Sequence, residues 1–500
     1  MAILGWLKKP AAAAEVSDTS DWDEYPVHLM DGSKLNHKVF GWTMRFNDVL
    51  DADMLHSALT RLLEIGDWRK LGGRLRQDKN GQLRIVVPKT FSSSHPAVEY
   101  KHSVHSQSIT AHAVGAQFLS ATAEPSIQPL DQELRHLMAP DDYPEAVDGL
   151  LQKDKPQLSL FINSFNDATL VSIAFPHTLL DTSSFTHLVQ NWSLVLGGRD
   201  SEVPPLLDAY KDAVEDLIQK NSHVVLEESR LEKMRLKGFG YWKLLARHVA
   251  DAAQRKRRLQ ALYIPRDTYQ RLLEKLGQES SGHDKPNTGN HISEQDLLTA
   301  WMIRTIAAQE SSPRPVTLIT LYNLRDYSPT LKQAGRKGNF AQNMPSSTCA
   351  LFPSDATQKS VAEIAKSYND QMTELTSEDE MVAYLRQVRQ ELTKEKPSLA
   401  LYGSTDALVV FANPLAQLDL TKMADFGPAV KSPVEEQVER LDRRTPPGRI
   451  VANVFNSLNW TDAGIDSLFP LGGDYEGGCW VAARLSAASW SSLFEELRAL

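Results

Sequence analysis

The sequence has very little cysteine, since only Cys349 and Cys479 occur in 500 residues. Two thiols are too few for a disulfide framework, so we expect a protein of a reducing compartment, the cytoplasm. Long apolar runs are also missing, and none approaches the ~18 residues of a membrane span. Near the N-terminus the charges follow a short apolar patch, the reverse of a signal peptide. We therefore expect a cytoplasmic chain with no stable membrane span.

An excess of positive charge is absent too, because 54 lysines and arginines face 63 aspartates and glutamates, a net charge of −9. A nucleic-acid-binding surface needs a basic footprint, so no nucleic-acid partner is expected. The phosphate-binding motifs GxxxxGK[ST] and GxGxxG and the nucleophile motif GxSxG do not occur. His177, Asp181 and His187 could meet at a metal, but no further ligand of suitable spacing completes the set, so no metal is expected.

The composition is that of an ordinary folded protein, with 42% hydrophobic and 23% charged residues. A chain of this length exceeds one ordinary core, so two domains are expected. Strand-like and helix-like hydrophobic spacing occur in both halves, which predicts an α/β fold with a site between the domains. Strands are predicted at 38–46, 83–88, 158–162, 169–175, 260–264, 315–323, 407–411, 450–458 and 479–485. Thr182 or Ser183 is predicted to cap the helix after Asp181, and Ser293 and Asp296 are predicted to form a capping box.

The predicted domain boundaries follow changes of composition along the chain. Residues 1–23 are alanine-rich and then acidic, and we interpret them as a flexible tail, with a weak interfacial anchor as the alternative. An N-terminal domain is predicted at 24–212 and a C-terminal domain at 260–500. Between them, 213–259 is helical and highly charged, and it includes Arg255-Lys-Arg-Arg258. A solvated crossover is the favoured interpretation of this segment, and a phosphate contact is the alternative.

One segment carries the clearest chemistry: the apolar strand 171–175 runs through a proline into His177, and Asp181 follows. HxxxD spacing alone occurs by chance, but a histidine at the end of a buried strand lies where open folds present their chemistry. An imidazole of near-neutral pKa can take a proton from a hydroxyl, so His177 is a candidate general base. Asp181 could orient the imidazole, or it could pair with an arginine and hold the loop. The alternative for His177 is a packed histidine at a domain interface.

Together with Asp425-Phe-Gly427 far downstream, His177-Thr-Leu-Leu-Asp181 resembles the paired signature of the BAHD acyl-CoA-dependent acyltransferases. The closer comparison is the fungal branch of that family, which includes trichothecene O-acetyltransferases. Weaker landmarks follow in the family's order, from about residue 24 onward. They are Leu71-Gly-Gly-Arg-Leu75, the helix start at 292–301, Asn323-Leu-Arg325, Gly338-Asn339-Phe340 and the closing strand at 477–485.

The resemblance implies two domains of chloramphenicol-acetyltransferase-like fold, each a mixed sheet with helices, joined by a long crossover. It implies a monomer with a channel between the domains, which acyl-CoA and a small-molecule acceptor enter from opposite faces to reach His177. No cofactor is bound in such an enzyme, and acyl-CoA is a co-substrate. Acetyl is the expected acyl group and a hydroxyl the expected acceptor. Asp181 is expected to pair with Arg325, which holds the loop of His177.

The resemblance also indicates residues that contact the donor. Asn413 or Asn459 is expected to donate a hydrogen bond to the thioester oxygen. Lys332, Arg336 and Lys337, near the turn at Gly338, are candidates for contact with the phosphates of CoA, and a solvated loop is the favoured interpretation of these three.

The sequence departs from the family pattern at two places. Thr182 stands where the family has glycine, which predicts a different turn or an earlier helix start. Asp425-Phe-Gly427, expected to support local structure, continues as Pro-Ala where the family's DFGWG has Trp-Gly. A rival placement of that motif is Gly473-Asp-Tyr-Glu-Gly477, preceded by Ser457-Leu-Asn-Trp460, and both placements stay open.

Two other functions fit the same fold. Condensation domains of peptide synthetases share it and take acyl groups from a carrier protein. Here, however, Pro176 replaces the first histidine of their HHxxxDG motif and Thr182 replaces its glycine. A binding protein without activity is the third alternative, and the intact His177 and Asp181 speak against it. We therefore expect an acyl-CoA-dependent O-acyltransferase of small secondary metabolites.

Overall fold

The computed structural model describes residues 21–224, 228–278, 292–394, 400–415, 420–432, 445–460 and 464–500. Most of the predicted tail therefore lies outside the described residues. The strands of the described residues are β1 (Trp22–Pro26), β2 (Val39–Phe46), β3 (Val49–Leu50), β4 (Arg74–Gln77), β5 (Leu83–Pro88), β6 (Glu99–Val104), β7 (Ser126–Pro129), β8 (Ser159–Ser164), β9 (Thr169–Pro176), β10 (Arg257–Ile264), β11 (Val316–Asn323), β12 (Pro345–Phe352), β13 (Leu408–Ala412), β14 (Val430–Ser432), β15 (Ala452–Ser457), β16 (Asp466–Gly473) and β17 (Cys479–Ser486).

Helices cover the sheets and connect their strands. The α-helices of the described residues are α1 (Ala52–Leu62), α2 (Arg135–Met138), α3 (Val147–Lys153), α4 (Thr182–Leu196), α5 (Ala213–Lys220), α6 (Arg230–Lys233), α7 (Gly238–Gln254), α8 (Arg266–Gln278), α9 (Glu294–Ala308), α10 (Leu324–Tyr327), α11 (Pro329–Gly335), α12 (Val361–Leu375), α13 (Glu378–Leu392), α14 (Leu420–Met423) and α15 (Ala487–Arg498). Within the described ranges, none of them is long and apolar enough to cross a membrane.

Two mixed sheets form the framework, which confirms the predicted fold class. The five-stranded sheet has the order β15-β2-β9-β8-β6, and only β6 and β8 pair in parallel. The seven-stranded sheet has the order β12-β11-β13-β16-β17-β10-β7, with parallel pairs β11–β13 and β13–β16. Every residue of β9 is buried, as expected for a central strand that is apolar on both faces.

Three strand pairings cross the division that was predicted from the sequence, and the smallest is the two-stranded sheet of β3 and β14. β7 belongs to the first half of the chain but pairs with β10 in the seven-stranded sheet, and β15 belongs to the second half but pairs with β2. In addition, β10 begins at Arg257, inside the predicted crossover. The alternating pattern of a strand shows which face is buried but not which strand lies beside it, so these pairings could not be inferred.

Helix caps explain where several helices begin. Asp51 accepts a hydrogen bond from the Met54 N–H at 3.0 Å and starts α1. Ser293 and Asp296 form the predicted capping box of α9. The predicted cap of α4 by Thr182 or Ser183 is wrong, because Asp181 itself accepts from the Ser184 N–H at 2.9 Å.

Candidate active site

His177 directly follows β9, where the strand leaves the five-stranded sheet. Its backbone N–H donates to the Lys38 carbonyl at 2.8 Å, which continues the pairing of β9 with β2 by one residue. Its ring Nδ1 lies 3.0 Å from the Leu180 carbonyl oxygen. Because a carbonyl can only accept, Nδ1 carries the proton and the neutral ring has its lone pair on Nε2. Phe40 packs edge-on against the ring, 5.0 Å between centroids.

Burial lowers the pKa of His177 below the ordinary value of 6.5. The hydrogen bond to Leu180 and the charge of Asp181 oppose this effect without reversing it. The lowered pKa favours the neutral imidazole. A neutral imidazole with a free Nε2 is the protonation state that a general base requires.

Asp181 uses its carboxylate to tie the loop down. Oδ2 pairs with Arg325 Nη1 at 2.7 Å and accepts from the Met344 N–H at 2.9 Å. Oδ1 accepts from the backbone N–H and the hydroxyl of Ser184. Burial by itself raises the pKa of this carboxyl, but the Arg325 charge and these hydrogen bonds outweigh it, and the net shift is downward. The Nδ1 atom of His177 therefore bonds to the Leu180 carbonyl and not to the Asp181 carboxylate.

Arg325 joins the HxxxD loop to the seven-stranded sheet. It lies at the start of α10, directly after β11, and is almost fully buried. Besides Asp181, its guanidinium donates to Asn323 Oδ1 at 3.1 Å, to Ser184 Oγ at 3.0 Å and to the Gln342 carbonyl. The predicted ion pair is thus present, and it forms the centre of a wider network.

The segment 341–344 makes a second group of contacts that the sequence does not indicate. Four successive backbone N–H groups, at 341–344, all donate to buried carboxylates. Their acceptors are Asp208 for the first two, Asp31 at 2.7 Å for the third and Asp181 at 2.9 Å for the fourth. The segment is therefore held in one position by acids from distant parts of the chain.

Asn343 links this segment to the loop of His177. Its Nδ2 donates to the His177 carbonyl at 2.7 Å and to Asp31 Oδ1 at 2.8 Å. Burial raises the pKa of Asp31 to about 7. Asp31 and Asn343 lie 312 positions apart, so no local sequence pattern could have indicated their contact.

A cavity of about 460 Å³ opens beside His177 between the two sheets. Its described lining includes Asp181, Asp296 and Asp326 and contains no lysine or arginine. The other lining residues are mostly polar and uncharged; they include Thr182, Ser183, Thr320, Asn323, Tyr327, Tyr368, Asn369 and Asn413. A neutral or hydroxyl-bearing molecule fits this lining better than an anionic one does.

The predicted donor-binding residues are not all at this cavity. Asn413 lines it, whereas Asn459 is exposed at the end of β15. Lys332, Arg336 and Lys337 are all exposed on or just after α11. Of these, Lys337 lines a smaller cavity of about 210 Å³, together with lysines 211 and 220.

Neither placement of the DFGWG motif lines the His177 cavity. Asp425 Oδ1 accepts from the Gly427 N–H at 2.9 Å, and Oδ2 pairs with Arg449 at 3.1 Å. Phe426, between Asp425 and Gly427 in the sequence, is fully buried and packs edge-on against Phe46 and Trp192.

The rival placement, 473–477, forms the tight turn between β16 and β17. There Asp474 accepts from the Gly478 N–H at 2.8 Å and from the Tyr263 hydroxyl at 2.7 Å. In both placements the aspartate closes a turn, so the choice between them stays open.

Thr182 fits its position without strain. Among the described non-glycine residues only Asp154 has a positive φ, so the residue after Asp181 has no need of glycine here. Thr182 is instead the first residue of α4. The helix starts one residue earlier than the predicted cap would allow.

No group of three histidine, cysteine, aspartate or glutamate side chains in the described part of the chain is placed to hold a metal. His187 lies on α4, where burial, with a smaller effect of Arg325, lowers its pKa to about 4.

Comparisons with known proteins show the family of this chain. The model of the Transferase family matches residues 101–410, more than half of the chain. Acetyltransferase BOT5 of Botryotinia fuckeliana is 31% identical over 95% of this chain and 90% of its own length. O-acetyltransferase PaAT-2 of Phomopsis amygdali is 28% identical, with 95% and 97% covered.

Among solved structures, F. graminearum TRI101 complexed with coenzyme A and T-2 mycotoxin has the same fold. The TM-score is 0.59 at 12% identity, and the match covers 94% of this chain and 96% of that one. The chain belongs to the Transferase family, the BAHD acyl-CoA-dependent acyltransferases, in its fungal branch. It is an acyltransferase of that class.

Proposed function

We propose that this enzyme transfers an acetyl group from acetyl-CoA to a hydroxyl of a small secondary metabolite, with His177 as the general base. The observation that carries the proposal is the His177 ring at the cavity wall, with Nδ1 committed to the Leu180 carbonyl and Nε2 left to accept a proton. The named fungal acetyltransferases that cover nearly the whole chain support the acyl group and the acceptor class.

In the proposed reaction, Nε2 takes the proton of the acceptor hydroxyl as its oxygen attacks the thioester carbonyl. A tetrahedral intermediate forms, and its collapse breaks the carbon–sulfur bond. The imidazolium of His177 then returns the proton to the departing thiolate of CoA, so the ring ends neutral and no covalent enzyme species forms. The Leu180 carbonyl holds the Nδ1 proton in every step and stabilises the transient imidazolium.

Asp181 and Arg325 act in this proposal as positioning residues. Their ion pair and the Met344 contact hold the loop that presents His177, and neither side chain takes part in proton transfer. Asn413 is the favoured donor to the thioester oxygen, because it lines the same cavity as His177 while Asn459 does not.

The decisive experiment offers the protein several acyl-CoAs, from acetyl upward, together with an extract of its host, and identifies acylated products by mass spectrometry. We expect a metabolite that gains one acetyl group at a hydroxyl only when acetyl-CoA and protein are both present. Turnover with a carrier-protein-bound thioester but not with acyl-CoA would show the condensation-type reaction instead. Ligand binding without product would show an inactive binding protein.

We further expect Lys332, Arg336 and Lys337 to bind the phosphates of CoA. The cavity lining offers no cation for them, and α11 follows directly on α10, whose residues Asp326 and Tyr327 line the cavity. Replacing all three with alanine should raise the KM for acetyl-CoA about tenfold while kcat changes little, because uniform binding is lost. The effect should shrink at high ionic strength, which screens exposed charges.

The matched control replaces three other exposed lysines, Lys79, Lys275 and Lys359, with alanine. This variant carries the same loss of three positive charges and should keep the KM of the parent. An unchanged, equally salt-sensitive KM in the α11 variant would reject the phosphate contact.

We also propose that the enzyme acts in the cytoplasm as a monomer. Cys349 and Cys479 are free and buried, which suits a reducing compartment. Size-exclusion chromatography with light scattering should give the mass of one chain across the concentrations used for turnover.

A further inference from the structure

Helix α7 exposes an apolar face. Three of its large hydrophobic side chains lie open to solvent: Phe239 at 83%, Trp242 at 65% and Val249 at 57%. With Ala246 and Ala253 they recur at intervals of three and four residues, which places all five on one side of the helix. The described residues leave this stripe uncovered along most of the helix.

The opposite side of α7 fixes the helix to the protein. Leu244 is buried at 1% exposure and packs with Leu401 and Val409. Asp251 pairs with Arg314 at 3.2 Å. The helix thus lies flat on the surface, and its apolar stripe points outward as a convex ridge, not into a groove.

The charge around this ridge is the opposite of that of the whole molecule. Residues 237–258 contain seven lysines and arginines and one acid, Asp251, although the chain carries a net charge of −9. Three of the basic side chains are paired: Lys237 with Glu232, Arg255 with Glu310 and Arg257 with Asp466. Their contacts argue against the phosphate site that was the alternative for this basic run.

The remaining basic side chains face solvent. Lys243 and Arg247 are exposed along one flank of the apolar stripe, and positions 256 and 258 are exposed beyond the helix end. Asp406 lies close enough to this flank for Arg247 and Lys243 to help lower its pKa, although a hydrogen bond from Ser404 is the larger cause. Asp406 thus offsets part of the positive charge of this flank.

We propose that α7 docks the enzyme onto an anionic phospholipid surface. Exposed phenylalanine and tryptophan on one face, bordered by lysine and arginine, is the composition of helices that lie in a membrane interface. The convex ridge suits a deformable, flat partner, and the local positive charge complements anionic headgroups and orients a chain that is otherwise acidic. The docking is peripheral and reversible, and it is independent of the acyl-transfer chemistry.

The test mixes the full chain with vesicles of phosphatidylcholine alone or with about one third phosphatidylserine, and measures the bound fraction after sedimentation. We expect binding to the anionic vesicles that weakens as salt is raised. Phe239→Ser/Trp242→Ser and, separately, Lys243→Glu/Arg247→Glu should each lower the partition coefficient about tenfold or more. Turnover in vesicle-free buffer should stay unchanged in both variants.

Leu35→Ser/Val104→Ser is the matched control, since those side chains are 81% and 74% exposed on other parts of the surface. It should bind anionic vesicles as the parent does. Absence of binding by the parent, or an equal loss in the control, overturns the proposal. A change in the self-association of the α7 variants without vesicles would show that a second copy covers the face, and it too would reject the lipid surface.

Discussion

Replacing His177 with alanine should lower kcat/KM for acetyl transfer by about 10²–10⁴-fold, the usual contribution of a positioned general base. The ring is the group beside the cavity whose free nitrogen can take a proton, so residual activity should come only from the proximity of the two substrates. Initial rates against a panel of alcohols, with the melting temperature of the variant as a check of folding, measure the effect.

His136→Ala is the control for that experiment. His136 is exposed, pairs with Asp141 and is not among the residues that line the cavity. Its loss should leave turnover unchanged. Full activity of the His177→Ala enzyme would contradict the proposed mechanism, and the family assignment would still hold.

The pH dependence of kcat/KM gives a second view of the same residue. Activity requires neutral His177, and burial lowers its pKa below 6.5. Protonation therefore requires a lower pH than it does for an exposed histidine. We expect a plateau around neutral pH and an acid limb whose midpoint lies below 6.5.

The sequence allowed the loop of His177 and its ion pair to be predicted because their signals are local. An apolar strand, a proline, His177 and Asp181 follow one another within a few positions, and the family order pointed to Arg325 as the partner of Asp181. The predicted cap of α4 was one residue too late, because Asp181 both pairs with Arg325 and caps the helix.

The rest of the site could not be predicted, because its contacts are long-range and involve the main chain. Asp31 and Asp208 accept from backbone N–H groups 133 to 312 positions away, and such acceptors leave no periodic pattern. Strands β6 and β12 were missed for a related reason. Their polar residues do not alternate clearly, and the pairing with β8 and β11 comes from backbone hydrogen bonds.

Removing one partner of the Asp181–Arg325 pair should cost about 3–5 kcal/mol of folding free energy, since the other charge is left buried and uncompensated. Both side chains are below 10% exposed. Asp181→Asn and Arg325→Leu should each destabilise by this amount, measured by urea unfolding and by the melting temperature. Asp425→Asn breaks a pair in which the carboxylate is 56% exposed, and it should cost less than about 1 kcal/mol.

Exchanging the two charges should not rescue stability, although a simple ion pair would permit it. The Asp181 oxygens also accept from the backbone N–H groups of Ser184 and Met344, and those groups can only donate. An arginine at position 181 can only donate hydrogen bonds, so the N–H groups of Ser184 and Met344 would lose their acceptor. The double variant Asp181→Asn/Arg325→Leu should instead recover part of the loss, because no charge remains buried. A swapped enzyme as stable as the parent would show that the pair acts alone, without the backbone contacts that join the His177 loop to the segment after Gly338.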